Sequence, residues 1–408
     1  MKLMELSSHD YLVINAGTLF TGADLKVKKS VRIHIWDGKV QFIEEKPFSY
    51  YERIQQTGKK KCQVIGGDHL TVIPGMIDCH VHLALDGEEK SLHFKDRLKD
   101  KMASNLTHGI AAVRDGGDKD GIGLACRDLV NQMELKGPVI MASGKALHKN
   151  GAYGSFLGPG VAPGELSKVL KRCIKDGINQ VKVIVSGIVS FKEYRKVGKI
   201  QFDLEELEYI VRAAGEQGLK VMAHASSDEA VQLCIRAGVH SIEHGYFISE
   251  ESLQKMAERE IAWVPTVVPV AVQNKRKLDR STADADVIER TYRRQLRMVK
   301  LAQQLGVRLG VGTDAGAAGV QHGAAFLQEL KLFQEAGLTP EEILMAATRN
   351  GAYIVGLEKD LGIIAPGRPA FLAALDSDLF SDLGQLSQIR YIIRPEQRMF
   401  AKSSFQTA

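Results

Sequence analysis

PGMIDCHVHL, residues 74–83, opens on a Pro-Gly turn, runs through an apolar pair and ends on two histidines either side of a valine. Alternate residues of a strand face the same side, so a strand over Met76–Leu83 would project His80 and His82 together. Taken alone, that spacing suits two solvated or hydrogen-bonded imidazoles as well as one shared metal ion. The segments downstream decide between the two.

From Pro74 onward, apolar strand-like runs alternate with longer amphipathic stretches. The runs are MIDCHVHL, GIAAVRDGG, PVIMASG, QVKVIVSG, LKVMAHA, HSIEHG, IAWVPTVV and VRLGVGTDAG. Helical signals lie between them. Asp203 with Glu206, and Thr339 with Glu342, have the spacing of capping boxes, the second with Pro340 at the first helical position. VRAAGEQG and FQEAGL end on glycine, as helix C-termini often do. Eight strands with helical crossovers over residues 74–358 predict an α/β fold, a (β/α)8 TIM-like barrel. The alternative is a doubly wound open sheet. It would normally carry a glycine-rich phosphate turn after an early strand, and GGDKDGIG has the wrong spacing for one.

Outside that region the pattern is all β. YLVINAGTLF, VRIHIWDGKVQFIEE and KCQVIGGDHLTVIPG are short and β-branched, with Asp37-Gly38 as a hairpin turn. LGIIAPGRPAFLAAL and IRYIIRPEQRMF return to the same pattern near the other end. The simplest arrangement joins residues 1–73 and 359–408 into one small β-domain.

Composition narrows the function. The 408 residues are 44% hydrophobic and 25% charged with a net charge of +5, the profile of a soluble globular protein and too mild an excess to argue for nucleic acid. The most basic region, NKRKLDR and then RTYRRQLRMVK, is interleaved with Asp284, Asp286 and Glu289. It is expected to be a solvated helix face. Five scattered cysteines without a CxxC fit a reducing compartment and argue against a disulfide framework. No signal peptide is evident at the N-terminus, and no apolar run approaches the ~18 residues of a membrane helix. A cytoplasmic location is expected.

Catalytic groups of a (β/α)8 barrel come from the C-terminal ends of its strands. Those ends supply His80 and His82, Lys182 in QVKVIVSG, His224 in VMAHA, His244 in IEHG and Asp314 in GVGTDAG. Lys182 is flanked by Val181, Val183, Ile184 and Val185. A lysine buried without a partner tends to lose its proton, and a neutral amine can take up carbon dioxide as a carbamate. That anion could bridge two cations. A lysine snorkelling to water, a hydrogen-bonded histidine and an aspartate capping a helix are the simpler readings of each residue singly. Six such residues at the ends of five strands favour a joint metal site. Imidazole and carboxylate suit zinc, or manganese, iron or cobalt. A bound divalent ion makes hydroxide available near neutral pH, and Asp314 would carry the proton to the leaving nitrogen.

The ordered set VINAGTLFTG, PGMIDCHVH, VKVIVSG, VMAHA, SIEHG, GTDAG and AATRNGAYIVGLEKDLGIIAPGRPA resembles the amidohydrolase superfamily across nearly the whole chain. The resemblance implies a distorted (β/α)8 barrel with a small β-sandwich domain. It implies two divalent metal ions: one on His80 and His82, completed by carbamylated Lys182 and by Asp314, the other on His224 and His244. It also implies a homo-oligomer acting on a small molecule.

QFDLEELEYIVRAAGEQGLKVMAHA, AGVHSIEHG and His322-Gly323 are most similar to the branch of prolidase-like and Xaa-Arg dipeptidases and imidazolonepropionase-related proteins, and His322 is a candidate substrate contact. Deaminases of the superfamily usually lack the lysine and carry glutamate where this chain has Ser227, so amide hydrolysis is expected over deamination. A dipeptide or N-acyl amino acid is the expected substrate, with a cyclic amide or lactam as the alternative. A non-catalytic scaffold relative would be expected to have lost ligands, and all six are present. The chain departs from the branch in places. Ser226 stands where tyrosine is common, Gly151-Ala152-Tyr153-Gly154 replaces Gly-Gly-His-Gly, and Phe371 replaces a common aspartate. Either Tyr153 or His148 would then replace the missing polar contacts, or the substrate differs. In the loop FKEYRKVGK, Tyr194 and Arg195 could meet an acidic substrate group, though a solvated loop is the simpler reading.

Overall fold

The computed structural model describes residues 2–5, 11–45, 62–85, 94–275, 282–395 and 398–401. The molecule is mixed α/β. Among the described residues five strands precede the two-histidine motif: β1 (Lys2–Glu5), β2 (Tyr11–Phe20), β3 (Val27–Trp36), β4 (Lys39–Glu45) and β5 (Cys62–Pro74). Seven short strands follow: β6 (Met76–Val81), β7 (Ile110–Asp115), β8 (Val139–Ala142), β9 (Gln180–Ile184), β10 (Lys220–Ala225), β11 (Ser241–His244) and β12 (Ala262–Val264). Three close the chain: β13 (Leu372–Leu375), β14 (Ile389–Arg394) and β15 (Arg398–Ala401).

The two chain ends share one eight-stranded sheet, in the order β1-β15-β14-β13-β5-β2-β3-β4. All its pairings are antiparallel except β2 with β5. The β3–β4 turn is where the sequence put it: Asp37 and Gly38 have φ of 51° and 66°, the left-handed pair a tight hairpin needs. Leu12, Ile14, Ile33, Val72 and Leu372 fill the sheet's own core.

β5 runs through Gly75 directly into β6. β6-β7-β8 and β9-β10-β11-β12 are all-parallel sheets. Their strands are apolar and almost wholly buried, as parallel strands covered by helices should be. Hydrogen bonds join the two sheets. Asn179 N donates to Ala142 O (2.8 Å), Leu147 N to Lys182 O (2.8 Å) and Ile184 N to Leu147 O (2.8 Å). At the other side Trp263 N donates to Arg308 O (3.0 Å) and Gly310 N to Trp263 O (2.9 Å), while Cys79 N donates to Val311 O (2.8 Å) and His82 N to Ala315 O (2.8 Å). These bonds link β8 to β9 and connect β12, through residues 308–315, to β6.

The eighth run expected from the sequence, VRLGVGTDAG, makes these bonds without becoming a regular strand. Its contacts are isolated parallel bridges, Trp263 with Leu309 and Val81 with Ala315. Gly310 and Gly312 let it pass close to its neighbours: a Cβ at either would lie 2.4 Å from a side-chain carbon of Ile354 or Val264. Thr313 N and Asp314 N both donate to His80 O, at 3.2 and 2.7 Å, which breaks the ladder's alternation.

Both expected capping boxes form, Asp203 with Glu206 on helix Leu204–Gly215 and Thr339 with Glu342 on helix Pro340–Met345. The basic stretch from Thr282 is helix Thr282–Gln304, whose exposed face pairs Arg290 with Asp286 (3.3 Å) and Arg293 with Glu289 (2.5 Å). Residues 276–281 of that stretch lie outside the described residues. Cys79, Cys126, Cys173 and Cys234 are buried free thiols, and Cys62 is exposed. Among the described residues no helix is long and apolar enough to cross a membrane.

Candidate metal centre

The C-terminal ends of β6, β9, β10, β11 and the Leu309–Ala315 segment face one cavity of about 450 Å³. His80, His82, Lys182, His224, His244 and Asp314 all line it. One nitrogen each of His80 and His82 and one Asp314 oxygen lie within 4.8 Å of one another, close enough to share an ion. Asp314 Oδ1 is 3.6 Å from His80 Nε2 and 3.4 Å from His82 Nε2. The rings continue around the floor, with centroids 4.9 Å apart for His80 and His244 and 4.5 Å for His224 and His244.

Three of the four imidazoles are held from behind through Nδ1. His80 Nδ1 lies 2.9 Å from Glu243 Oε2, and His82 Nδ1 lies 3.2 Å from Gly117 O. A carboxylate or carbonyl can only accept, so these nitrogens carry the hydrogen and Nε2 keeps its lone pair. His244 Nδ1 lies 2.7 Å from Thr266 Oγ1, whose own hydrogen goes to Pro265 O. Thr266 therefore accepts as well, and His244 Nε2 is also left bare. His224 differs: its Nε2 is 3.4 Å from Ser226 Oγ and 3.5 Å from Gly187 O.

Backbone conformation serves the same end. His244 and Asp314 have φ of 68° and 57°, a left-handed geometry that costs a non-glycine residue energy and concentrates at functional sites. At Gly116 an added Cβ would sit 2.7 Å from the His82 ring, so glycine is the residue that leaves the imidazole its place.

Burial sets the charges. It pulls His82 and His224 down to about 3 and His80 and His244 well below the usual imidazole range, with Lys182 adding to each effect. It lowers Lys182 to about 8, against the pull of Glu243, and raises Asp314 to about 7, against the pull of Lys182. Neutral imidazoles and a readily deprotonated amine are the states that ligate metals. Lys182 Nζ and His80 Nε2 are buried without a hydrogen-bond partner. Two such atoms facing one cavity are costly unless something binds them. The residues thus fit a cationic group.

The expected substrate contacts divide. Tyr153 lines the cavity, its ring centroid 5.7 Å from that of His224. His148, Tyr194 and His322 do not line it. His148 is turned into its own loop, its ring nitrogens 3.0 Å from Lys149 O and 2.9 Å from Gly158 O. Tyr194 packs edge-on against Phe247 beneath the Arg290 guanidinium, 3.9 Å away. His322 is buried beside the helix Phe94–Thr107, where its carbonyl accepts from Ser104 Oγ at 2.8 Å. The sequence reading missed Tyr246, stacked on His244 with an interplanar angle of 5°, and the pair Arg114–Glu243. Arg114 carries the same signal as Lys182, a charge within an apolar strand run, in IAAVRD.

Residues 71–404 match the Amidohydrolase family. The chain belongs to that family. It is therefore a hydrolase acting on carbon–nitrogen bonds, from a family that generally uses divalent metals. It is 26% identical to the ochratoxinase of Aspergillus niger, over 91% of this chain and 82% of the relative. It is 23% identical to the imidazolonepropionase of Streptococcus sanguinis, over 74% and 75%. Among solved structures it is similar to a Xaa-Pro dipeptidase with methionine bound in the active site. There the TM-score is 0.82 at 25% identity, over 96% of this chain and all of that one.

Proposed function

We propose that this amidohydrolase uses two divalent metal ions to hydrolyse the amide bond of a small molecule, a dipeptide or an N-acyl amino acid. In this reading residues 74–358 form a (β/α)8 barrel, and residues 1–73 and 359–408 form a β-sandwich domain beside it. The observation that carries the reading is the convergence of four imidazoles, one carboxylate and the partnerless Lys182 amine on one cavity. His80, His82, Asp314 and Lys182 as its carbamate would hold one ion, and His224 and His244, with the carbamate, the other. Zinc suits the donors best, with manganese, iron or cobalt as alternatives. Bound there, the ions would supply a water of lowered pKa and polarise the scissile carbonyl.

The chain's own groups do the rest. Asp314 Oδ1, between His80 and His82 at the cavity floor, takes a proton from the nucleophile and passes it to the leaving nitrogen. Tyr153 and Tyr246 keep their protons, because burial pushes both phenols further above their usual range, and they serve as donors to the substrate. Similarity to imidazolonepropionase makes a cyclic amide the second substrate class. The enzyme is proposed to be a cytoplasmic homo-oligomer with neither a nucleic-acid nor a membrane partner.

The test is a substrate panel on metal-loaded protein, with dipeptides, N-acyl amino acids and lactams beside a chelated control. Chelator-sensitive release of free amino acid is the expected result. Ammonia as the main product would overturn the reading in favour of deamination.

A further inference from the structure

We infer that the enzyme selects amides bearing a bulky apolar group, aryl or long alkyl, on the acyl side of the scissile bond. The inference rests on the proposed amide hydrolysis and deepens it. Its source is the wall of the cavity above the metal-ligand floor.

Two segments build that wall. One follows β9, a hairpin whose arms pair Ser186 with Ile200 and Val189 with Val197. The other is the loop after β8, pinned where Lys149 bridges Val161 and Ala146 N donates to Leu157 O at 3.1 Å. Ile188, Val189 and Phe191 come from the first, and Phe156 and Leu157 from the second. Pro269 faces them from the segment after β12. Every ionisable group among the described lining residues other than the two tyrosines belongs to the floor. A substrate charge carried up into this wall would be desolvated without a partner there, and an apolar group would gain from burial.

Exposure agrees. Ile188 is 56% exposed and Phe156 36%, two of the few large apolar side chains the surface leaves open. Both stand at this one cavity, and clustered exposed apolar surface marks a binding site. The wall is also braced by close backbone contact and hydrogen bonds. Gly187 and Gly198 face each other across the hairpin so closely that a Cβ at Gly187 would lie 2.7 Å from the Gly198 Cα. Gln201 then rivets the two segments together: its Oε1 accepts from Lys149 N and its Nε2 donates to Tyr153 O, both at 2.9 Å. A preformed apolar wall beside a polar floor is the usual build of a small-molecule site.

The experiment measures kcat/KM for N-acetyl-, N-hexanoyl-, N-benzoyl- and N-naphthoyl-phenylalanine beside Gly-Phe, Lys-Phe and Asp-Phe. It is run on metal-loaded enzyme with the binding of N-naphthoyl-phenylalanine followed by calorimetry. The expected result is a rise of about tenfold or more from acetyl to the bulky acyl groups, with the charged dipeptides at the bottom. Ile188→Ser should shrink the ratio of naphthoyl to acetyl kcat/KM. Leu129→Ser, on a helix away from the cavity, should leave that ratio unchanged. Charged dipeptides equal to the bulky acyl substrates, or a ratio indifferent to Ile188→Ser, would overturn the inference while leaving amide hydrolysis intact. If no compound is cleaved, calorimetry still decides. Naphthoyl binding weakened by Ile188→Ser upholds the apolar site and removes linear dipeptides and N-acyl amino acids as substrates, and absence of binding removes the inference.

Discussion

Glu243 Oε2 lies 2.9 Å from His80 Nδ1, and the other oxygen of the same buried carboxylate lies 2.7 Å from Arg114 Nη2. Arg114 is itself fixed, its Nε donating to Cys79 O at 2.6 Å and its Nη1 to Ser241 Oγ at 2.8 Å. The chain of contacts crosses the interior from β7 through β11 to β6 and ends on a candidate ligand. Partners of this kind set the tautomer and aim of a ligating histidine.

Glu243→Gln is therefore expected to weaken metal binding roughly 10–100-fold, read by competition with a chromogenic chelator. Glu243→Ala leaves the Arg114 guanidinium buried and uncompensated, and should destabilise the metal-free protein by about 3–5 kcal/mol in urea unfolding. Unchanged chelator competition in Glu243→Gln would remove the positioning role.

Lys182→Ala should lower both metal content, by elemental analysis, and turnover. Wild-type protein reconstituted in buffer purged of carbon dioxide should regain activity more slowly than protein given bicarbonate. Full turnover in Lys182→Ala would rule out a bridging role for this residue.

Asp314→Asn keeps the shape of the side chain and removes the proton carrier. A fall in kcat of about 10²–10⁴ is expected, larger than any change in KM. A variant that loses only KM would reassign Asp314 to substrate binding.

Glu329 lies behind the site, accepting from Val267 N and Val268 N at 2.8 Å each and wholly buried. Burial raises its carboxyl to about 8 from the 4.5 of a free glutamate, against the pull of those two bonds. A raised folded-state pKa means stability present in full below the unfolded value and lost as pH rises through about 8. Glu329→Gln does not titrate, so its stability relative to wild type should improve steadily from pH 5 to pH 8.5. Parallel pH profiles of melting temperature for the two proteins would show that Glu329 does not titrate in this range.

The sequence by itself determined much of this protein, because several of its signals are local or periodic. Asp37-Gly38 demands a tight turn, Asp203–Glu206 and Thr339–Glu342 cap their helices, and the alternation from Pro74 onward makes parallel strands covered by helices. The six candidate ligands were legible because polar and basic groups at the ends of apolar runs are expensive to bury idly. Tertiary structure decided what depends on residues distant in the chain. Only the packing of β6, β7 and β11 brings Arg114 and Glu243 behind His80, and only the turn of its loop sends the His148 ring to backbone carbonyls instead of the cavity. VRLGVGTDAG looked like a strand by composition, yet its glycines serve close packing against Val264 and Ile354, and it makes only isolated bridges. The apolar wall over the floor is likewise set by how two separate loops meet through Gln201. Periodicity fixes which face a residue takes within its own element. The neighbour that face meets is fixed only when the elements pack.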